Sequence, residues 1–249
     1  MNRDLLALPP SPAELRIRYG DDPNQFFDVW KPPRPRAVAM VIHGGFWRAK
    51  YDLLHTSHFS AALARSGIAV ANLEYRRVGN PGGGWPGSYN DVRAGFAAVK
   101  KYFGDANKFL VFGHSAGGHL GLRLAIDEED LSGVIALAPV SILRSAYELN
   151  LSNGAVAEFV GGKPEEFPEI YEDACPSRHP AKVQRILLHG SNDEEVPIEM
   201  SRSFENLRQN DPGTVWFMKL DECEHMDLID PESRAWPIIH MDAESLLED

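Results

Sequence analysis

The chain has 249 residues, 43% hydrophobic and 24% charged, with a formal net charge of −11. That mix is an ordinary globular one and excludes a disordered chain. The acidic balance argues against a nucleic-acid partner, whose footprint is a basic face, and no apolar run approaches the roughly 18 residues of a membrane span.

Only Cys175 and Cys223 are present, so no disulfide framework is expected. The N-terminal "MNRDLLALPPSPAEL" lacks the apolar core of a signal peptide, and three prolines interrupt it. A cytoplasmic location is therefore the default expectation.

Along the chain, "LRIRYG" and "QFFDVWKP" alternate like an antiparallel pair turned by "DDPN". Six apolar runs follow, at 37–44, 67–76, 109–114, 132–140, 184–190 and 214–222, each reading as a buried strand. Helical patterns over about 52–66, 88–103, 116–127 and 198–210 separate them. Buried strands spaced by amphipathic helices predict a mostly parallel sheet covered on both faces. The stretch from Ser141 to Ala181 breaks the rhythm and is rich in Pro, Gly and charge. A connection of that length in a compact domain suggests a lid with short helices of its own. One domain over 1–249 is expected.

The most specific motif is Gly113-His114-Ser115-Ala116-Gly117, a G-x-S-x-G directly between a strand and a helical pattern. Strand–turn–helix is the context that makes such a serine a nucleophile on a strained turn. A plain helix N-cap would not need glycine on both sides. A serine hydroxyl needs a base, and that base needs a carboxylate to fix its tautomer. After the run at 184–190 comes "SNDEEVP", and after 214–222 comes "CEHMDLID". The acid is Asp193, Glu194 or Glu195, with Asp193 favoured as first after the strand and shortest. His225 is the base.

A tetrahedral oxyanion must be met by preorganised donors. The Ala116 N–H at the start of the helix is one, and "HGGFW" offers Gly45 and Phe46 as the others. His43 then supports the loop. Phe46, Trp47 and Trp85 are candidates for an aromatic wall around the substrate, with core packing an equal contender for each. His114 and His119 read as packing or orienting groups, and His189 as a buried histidine. His55 and His58, three apart without a third ligand, read as an ordinary helix face rather than a metal site. No metal or cofactor is expected.

Together "HGGFW", "GHSAGGHL", "HGSNDEEVP" and "EHMDL" resemble the segments of the α/β-hydrolase superfamily, specifically its esterase/lipase-like branch with an H-G-G-x-W oxyanion motif. That branch includes kynurenine formamidases and bacterial carboxylesterase- or acyl-peptidase-like relatives. The resemblance implies an α/β-hydrolase fold, a mostly parallel eight-stranded sheet with helices on both faces and a short lid insertion. It implies Ser115, Asp193 and His225 as triad, Gly45, Phe46 and Ala116 as oxyanion hole, and a small-molecule ester or amide as substrate. The glycine-rich "YRRVGNPGGGWPGSYNDV" is closer to the bacterial esterases than to the formamidases. Ester hydrolysis is the leading expectation, followed by arylformamide and acyl-peptide hydrolysis. A catalytically silent binding module would typically lose a triad member or the oxyanion glycines, and this chain keeps them all.

Overall fold

The computed structural model describes residues 4–104 and 106–248. Residues 1–3, the start of the proline-interrupted N-terminal stretch, lie outside it, as do 105 and 249. β1 (Leu15–Arg18) and β2 (Phe26–Trp30) form the expected antiparallel pair. The Asp22 carboxylate accepts the Asn24 backbone N–H at 2.9 Å inside their turn, the local bond that suits aspartate to turns.

The sheet continues through β3 (Ala37–Ile42), β4 (Ile68–Leu73), β5 (Phe109–His114), β6 (Gly133–Leu137), β7 (Arg185–Gly190) and β8 (Val215–Leu220). The spatial order is β1-β2-β4-β3-β5-β6-β7-β8. β2 pairs antiparallel with β4, and every pairing beyond is parallel. Eight strands, mostly parallel, were expected.

The helices are α1 (Ser57–Arg65), α2 (Gly87–Tyr102), α3 (Ala116–Asp127), α4 (Leu143–Glu148), α5 (Ala155–Val160), α6 (Pro168–Ala174), α7 (Glu199–Arg208) and α8 (Trp236–Glu248). They cover both faces, and β3 shows why. Its Val38, Met40 and Ile42 join a core with Phe96 of α2 and Leu120 of α3. Its Ala39 and Val41 join the opposite core with Phe59 of α1 and Ile239 of α8. A period of two along a strand buried on both sides feeds two cores at once. Among the described residues no helix is long and apolar enough to cross a membrane.

Three features depart from expectation. The helical pattern over 52–66 splits into a 3-10 turn, Leu53–Thr56, followed by α1. β8 is an edge strand rather than a buried one, with Trp216 61% exposed. α8 was not anticipated, although Ile239, Ala243 and Leu246 are buried at helical spacing. The connection over 141–181 does carry short helices, α4 to α6, and a 3-10 turn at Pro176–Arg178.

The order places β4 and β5 on opposite sides of β3. Successive connections leave β3 in opposite directions, which opens a crevice at the carboxyl ends of β3 and β5. Ile42 lies beside Gly113 in register, so the loop after β3 and the turn after β5 are neighbours.

Candidate active site

Ser115 follows β5 directly and has φ 56° and ψ −117°. A non-glycine residue at positive φ costs on the order of 1–3 kcal/mol and persists only where its surroundings force it. The crowding around it explains the glycines. A Cβ on Gly113 would sit 2.3 Å from the Gly117 carbonyl oxygen, and one on Gly117 would sit 2.0 Å from that of Ile42. Strand and helix therefore touch through backbone alone, and the turn aims Ser115 into a cavity of about 130 Å³. Ala116 opens α3, so its N–H belongs to the first-turn donors that have no partner within the helix.

His225 and Asp193 arrive from the ends of β8 and β7. His225 Nδ1 donates to Asp193 Oδ2 at 2.7 Å. Asp193 Oδ1 accepts the backbone N–H groups of Glu195 and Val196, both at 2.9 Å. His189 Nε2 lies 3.2 Å from Oδ2, and the Asp193 side chain is wholly buried. Burial pushes the Asp193 carboxyl up, but the hydrogen bonds from His189 and His225 hold it well below the usual carboxylate range. It stays ionised, which fixes the proton on His225 Nδ1 and leaves Nε2 as the acceptor. His225 and Ser115 line the same cavity. Ser115 Oγ makes no hydrogen bond among the described residues. Such bonds often tighten only with substrate bound.

His114, the variable residue of the G-x-S-x-G motif, has an orienting part. A carbonyl only accepts, so its Nε2 donates to the His225 carbonyl at 3.1 Å. Burial first, and then the neighbouring His225, lower its pKa well below the ordinary value. A neutral imidazole thus ties the Ser115 turn to the loop carrying His225.

The loop after β3 supplies Gly45 and Phe46 to the cavity. Gly45 has φ 104°, and Phe46 and Trp47 follow at φ 49° and 56°. This run of positive φ turns successive backbone groups to one side. A buried network fixes it from behind. His43 Nε2 donates to Glu74 Oε1 at 2.9 Å, and Arg77 reaches the same oxygen at 3.2 Å. Glu74 Oε2 accepts the Leu53 N–H at 3.1 Å, and Tyr75 stacks on His43 with centroids 4.6 Å apart. Burial raises the Glu74 pKa, yet His43 and Arg77 bring it below the ordinary value. His43 is a support, as expected.

Two aromatic candidates sit elsewhere. Trp47 is fully buried, stacked on Phe159 with centroids 4.4 Å apart. It fastens the 141–181 insertion to the loop, helped by the Arg48–Glu158 ion pair at 2.7 Å. Trp85 stacks on Tyr89 and donates to Asp173 at 3.1 Å. Neither lines the cavity, whereas Phe46 does. A wall is formed instead by Tyr51, Leu6, Met226 and Ser152. Glu195 also reaches the cavity, while Glu194 is exposed.

The helix-face reading of His55 and His58 needs correction. The 3-10 turn ends between them, so their rings diverge. His58 Nε2 donates to the Pro9 carbonyl at 2.9 Å. His55 lines the cavity, and burial, with the nearby His43, lowers its pKa to about 3. No local signal marks His55, since only the sheet order brings residue 55 beside residue 115. His119 donates to the Ala174 carbonyl at 2.9 Å, and His189 is bonded to Ser201 and Val196.

The BD-FAE family model matches residues 27–207. Esterase LipC of Mycobacterium tuberculosis is 30% identical over 254 residues, covering 90% of this chain and 62% of that protein. A probable isoprenylcysteine alpha-carbonyl methylesterase of Oryza sativa subsp. japonica is 25% identical over 85% of this chain and 58% of its own length. The chain thus spans about three-fifths of these two curated relatives. Kynurenine formamidase avaC of Aspergillus versicolor is 27% identical over 73% of this chain and 79% of that protein. Among solved structures, a truncated carbohydrate esterase from gut microbiota superposes with TM-score 0.82 at 19% identity, covering 96% of this chain and 98% of that one. Esterase 2 of Thermogutta terrifontis, with propionate bound, gives 0.74 at 20% identity over 95% and 94%. The fold is that of the α/β-hydrolase esterases.

Proposed function

Because the chain belongs to the BD-FAE family, we propose that it is a serine hydrolase that cleaves a small carboxylic ester through Ser115, His225 and Asp193. The observation that carries this reading is the 2.7 Å bond between His225 and buried Asp193, over the cavity that holds strained Ser115. Ser115 Oγ attacks the ester carbonyl while His225 Nε2 takes its proton. Asp193 balances the imidazolium charge. The N–H groups of Gly45, Phe46 and Ala116 meet the oxyanion. His225 then protonates the departing alcohol, and water, activated by the same imidazole, releases the acid from Ser115. The insertion over 141–181 bounds the site through Ser152.

Turnover of p-nitrophenyl acetate, N-formylkynurenine and an acyl-peptide tests the reading. The ester is expected to turn over fastest, and Ser115→Ala to lose on the order of a million-fold. Near-wild-type ester hydrolysis by Ser115→Ala refutes the mechanism. A second reading, arylformamide hydrolysis, is favoured by the relative named kynurenine formamidase, of which this chain covers 79%. Formamide turnover far above every ester selects it.

A further inference from the structure

Beside the small catalytic cavity lies a larger groove of about 520 Å³, and Leu6, Tyr51 and His55 line both. One wall is the N-terminal segment, with Leu6, Leu8 and Pro10, and the other is residues 50–55, with Leu54. Leu6 and Leu54 are 56% and 43% exposed. Two large exposed apolar side chains bordering one groove beside a nucleophile mark a surface that gains by being covered.

The groove is built rather than incidental. Leu5 is buried in the core beside α1, His58 donates to the Pro9 carbonyl at 2.9 Å, and the Ser11 N–H donates to Ser57 Oγ at 3.0 Å. Three ties hold the segment that carries Leu6 and Leu8. The junction with the cavity carries no charge, because His55 remains neutral down to about pH 3. The charged groups on the groove, Lys50 and Asp52, are opposite in sign, and Asp52 is already bonded to the Leu54 N–H at 3.0 Å.

Resting on the serine-hydrolase reading above, we infer that this groove receives the alcohol side of the ester, a neutral apolar chain of several carbons, while a short acyl group occupies the cavity. Ser115 is only 1% exposed. In the acyl-enzyme the acyl group stays bonded to it, so the smaller of the two spaces suffices. The alcohol must depart before water can attack, so it belongs on the side open to solvent.

The test is a series of acetate esters from ethyl to octyl. kcat/KM rises with each methylene by about two- to fourfold, the factor for burying one, until the groove is filled. In Leu54→Ser and Leu6→Ser the octyl-to-ethyl ratio falls by about fivefold or more. Leu207→Ser, an exposed leucine on α7 away from the groove, keeps the wild-type ratio. A ratio unmoved by Leu54→Ser overturns the inference. So does a matched series of ethyl esters in which acyl length, rather than alcohol length, gives the rise that Leu54→Ser removes.

Calorimetric binding of hexanol and octanol to Ser115→Ala separates the two claims. Chain-length-dependent binding that Leu54→Ser abolishes supports the groove even if no ester is turned over, and that pairing of results defeats only the hydrolase reading. Absence of binding together with a flat ester series defeats the groove.

Discussion

Replacing Asp193 by Asn changes one atom and tests the whole relay. Oδ1 is held by two backbone donors, the Glu195 and Val196 N–H groups at 2.9 Å. The amide oxygen must take that position, because an NH2 group there would face two donors. The Asn nitrogen is then turned toward His225 Nδ1, where Oδ2 now accepts at 2.7 Å. Nδ1 can meet an N–H only as an acceptor, so the imidazole proton moves to Nε2, which can no longer take the Ser115 proton. The expected loss in kcat is about 10⁴-fold, or about 5.4 kcal/mol at 1.36 kcal/mol per decade. A stability cost accompanies it. His189 Nε2 donates to the Val196 carbonyl at 2.8 Å and would face the new NH2 at the 3.2 Å position of Oδ2. That donor–donor contact costs on the order of 1–3 kcal/mol. The assay is steady-state p-nitrophenyl acetate hydrolysis beside urea unfolding. A variant that stays within tenfold of wild-type kcat would show that Asp193 does not set the tautomer, and Glu195, which also reaches the cavity, would be the carboxylate to test next.

Gly45→Val should lower kcat by about 10²- to 10³-fold by displacing an oxyanion donor. Its Cβ would meet Tyr51 Cβ at 2.5 Å, on a backbone at φ 104°; kinetics equal to wild type would remove Gly45 from the oxyanion hole. Trp47→Phe should destabilise by about 1–3 kcal/mol through lost packing and leave KM for aryl esters near wild type, since among the described residues the indole N–H has no partner and the ring lies outside the cavity. A severalfold rise in KM at unchanged stability would restore Trp47 to the substrate wall. His55 and His119 are lowered from 6.5 to about 3 by burial, so below pH 6.5 the unfolded chain binds protons that the folded chain refuses. Stability therefore falls as pH drops from 6.5 toward 3, by up to about 1.4 kcal/mol per histidine per pH unit. Above about pH 4 Asp193 adds nothing to this slope, because its depressed pKa withdraws stability only below that. A urea midpoint that does not change between pH 7 and pH 5 would contradict this.

Legibility in the sequence followed the range of each signal. The strand at 109–114 and helix at 116–127 have the observed limits, because a glycine-flanked turn fixes both ends locally. β8 differs from its expectation because an apolar run does not tell whether a neighbouring strand exists; Trp216 and Met218 lie at the sheet edge and face solvent. For Trp47 and Trp85 the sequence leaves a substrate wall and core packing as equal contenders. Their directions depend on Phe159 and Tyr89, which only the packed insertion and α2 supply.

What the sequence by itself determined was the sheet, the G-x-S-x-G turn and the short set of candidates for acid and base. Period, glycine spacing and chain order are local properties that survive in a string. What the tertiary structure decided was which carboxylate meets His225, that His55 enters the cavity while His58 does not, and that the N-terminal leucines border the same site. These are contacts between residues far apart in the chain. They arise because β3, β5, β7 and β8 end at one edge of the sheet, a juxtaposition that no single segment encodes.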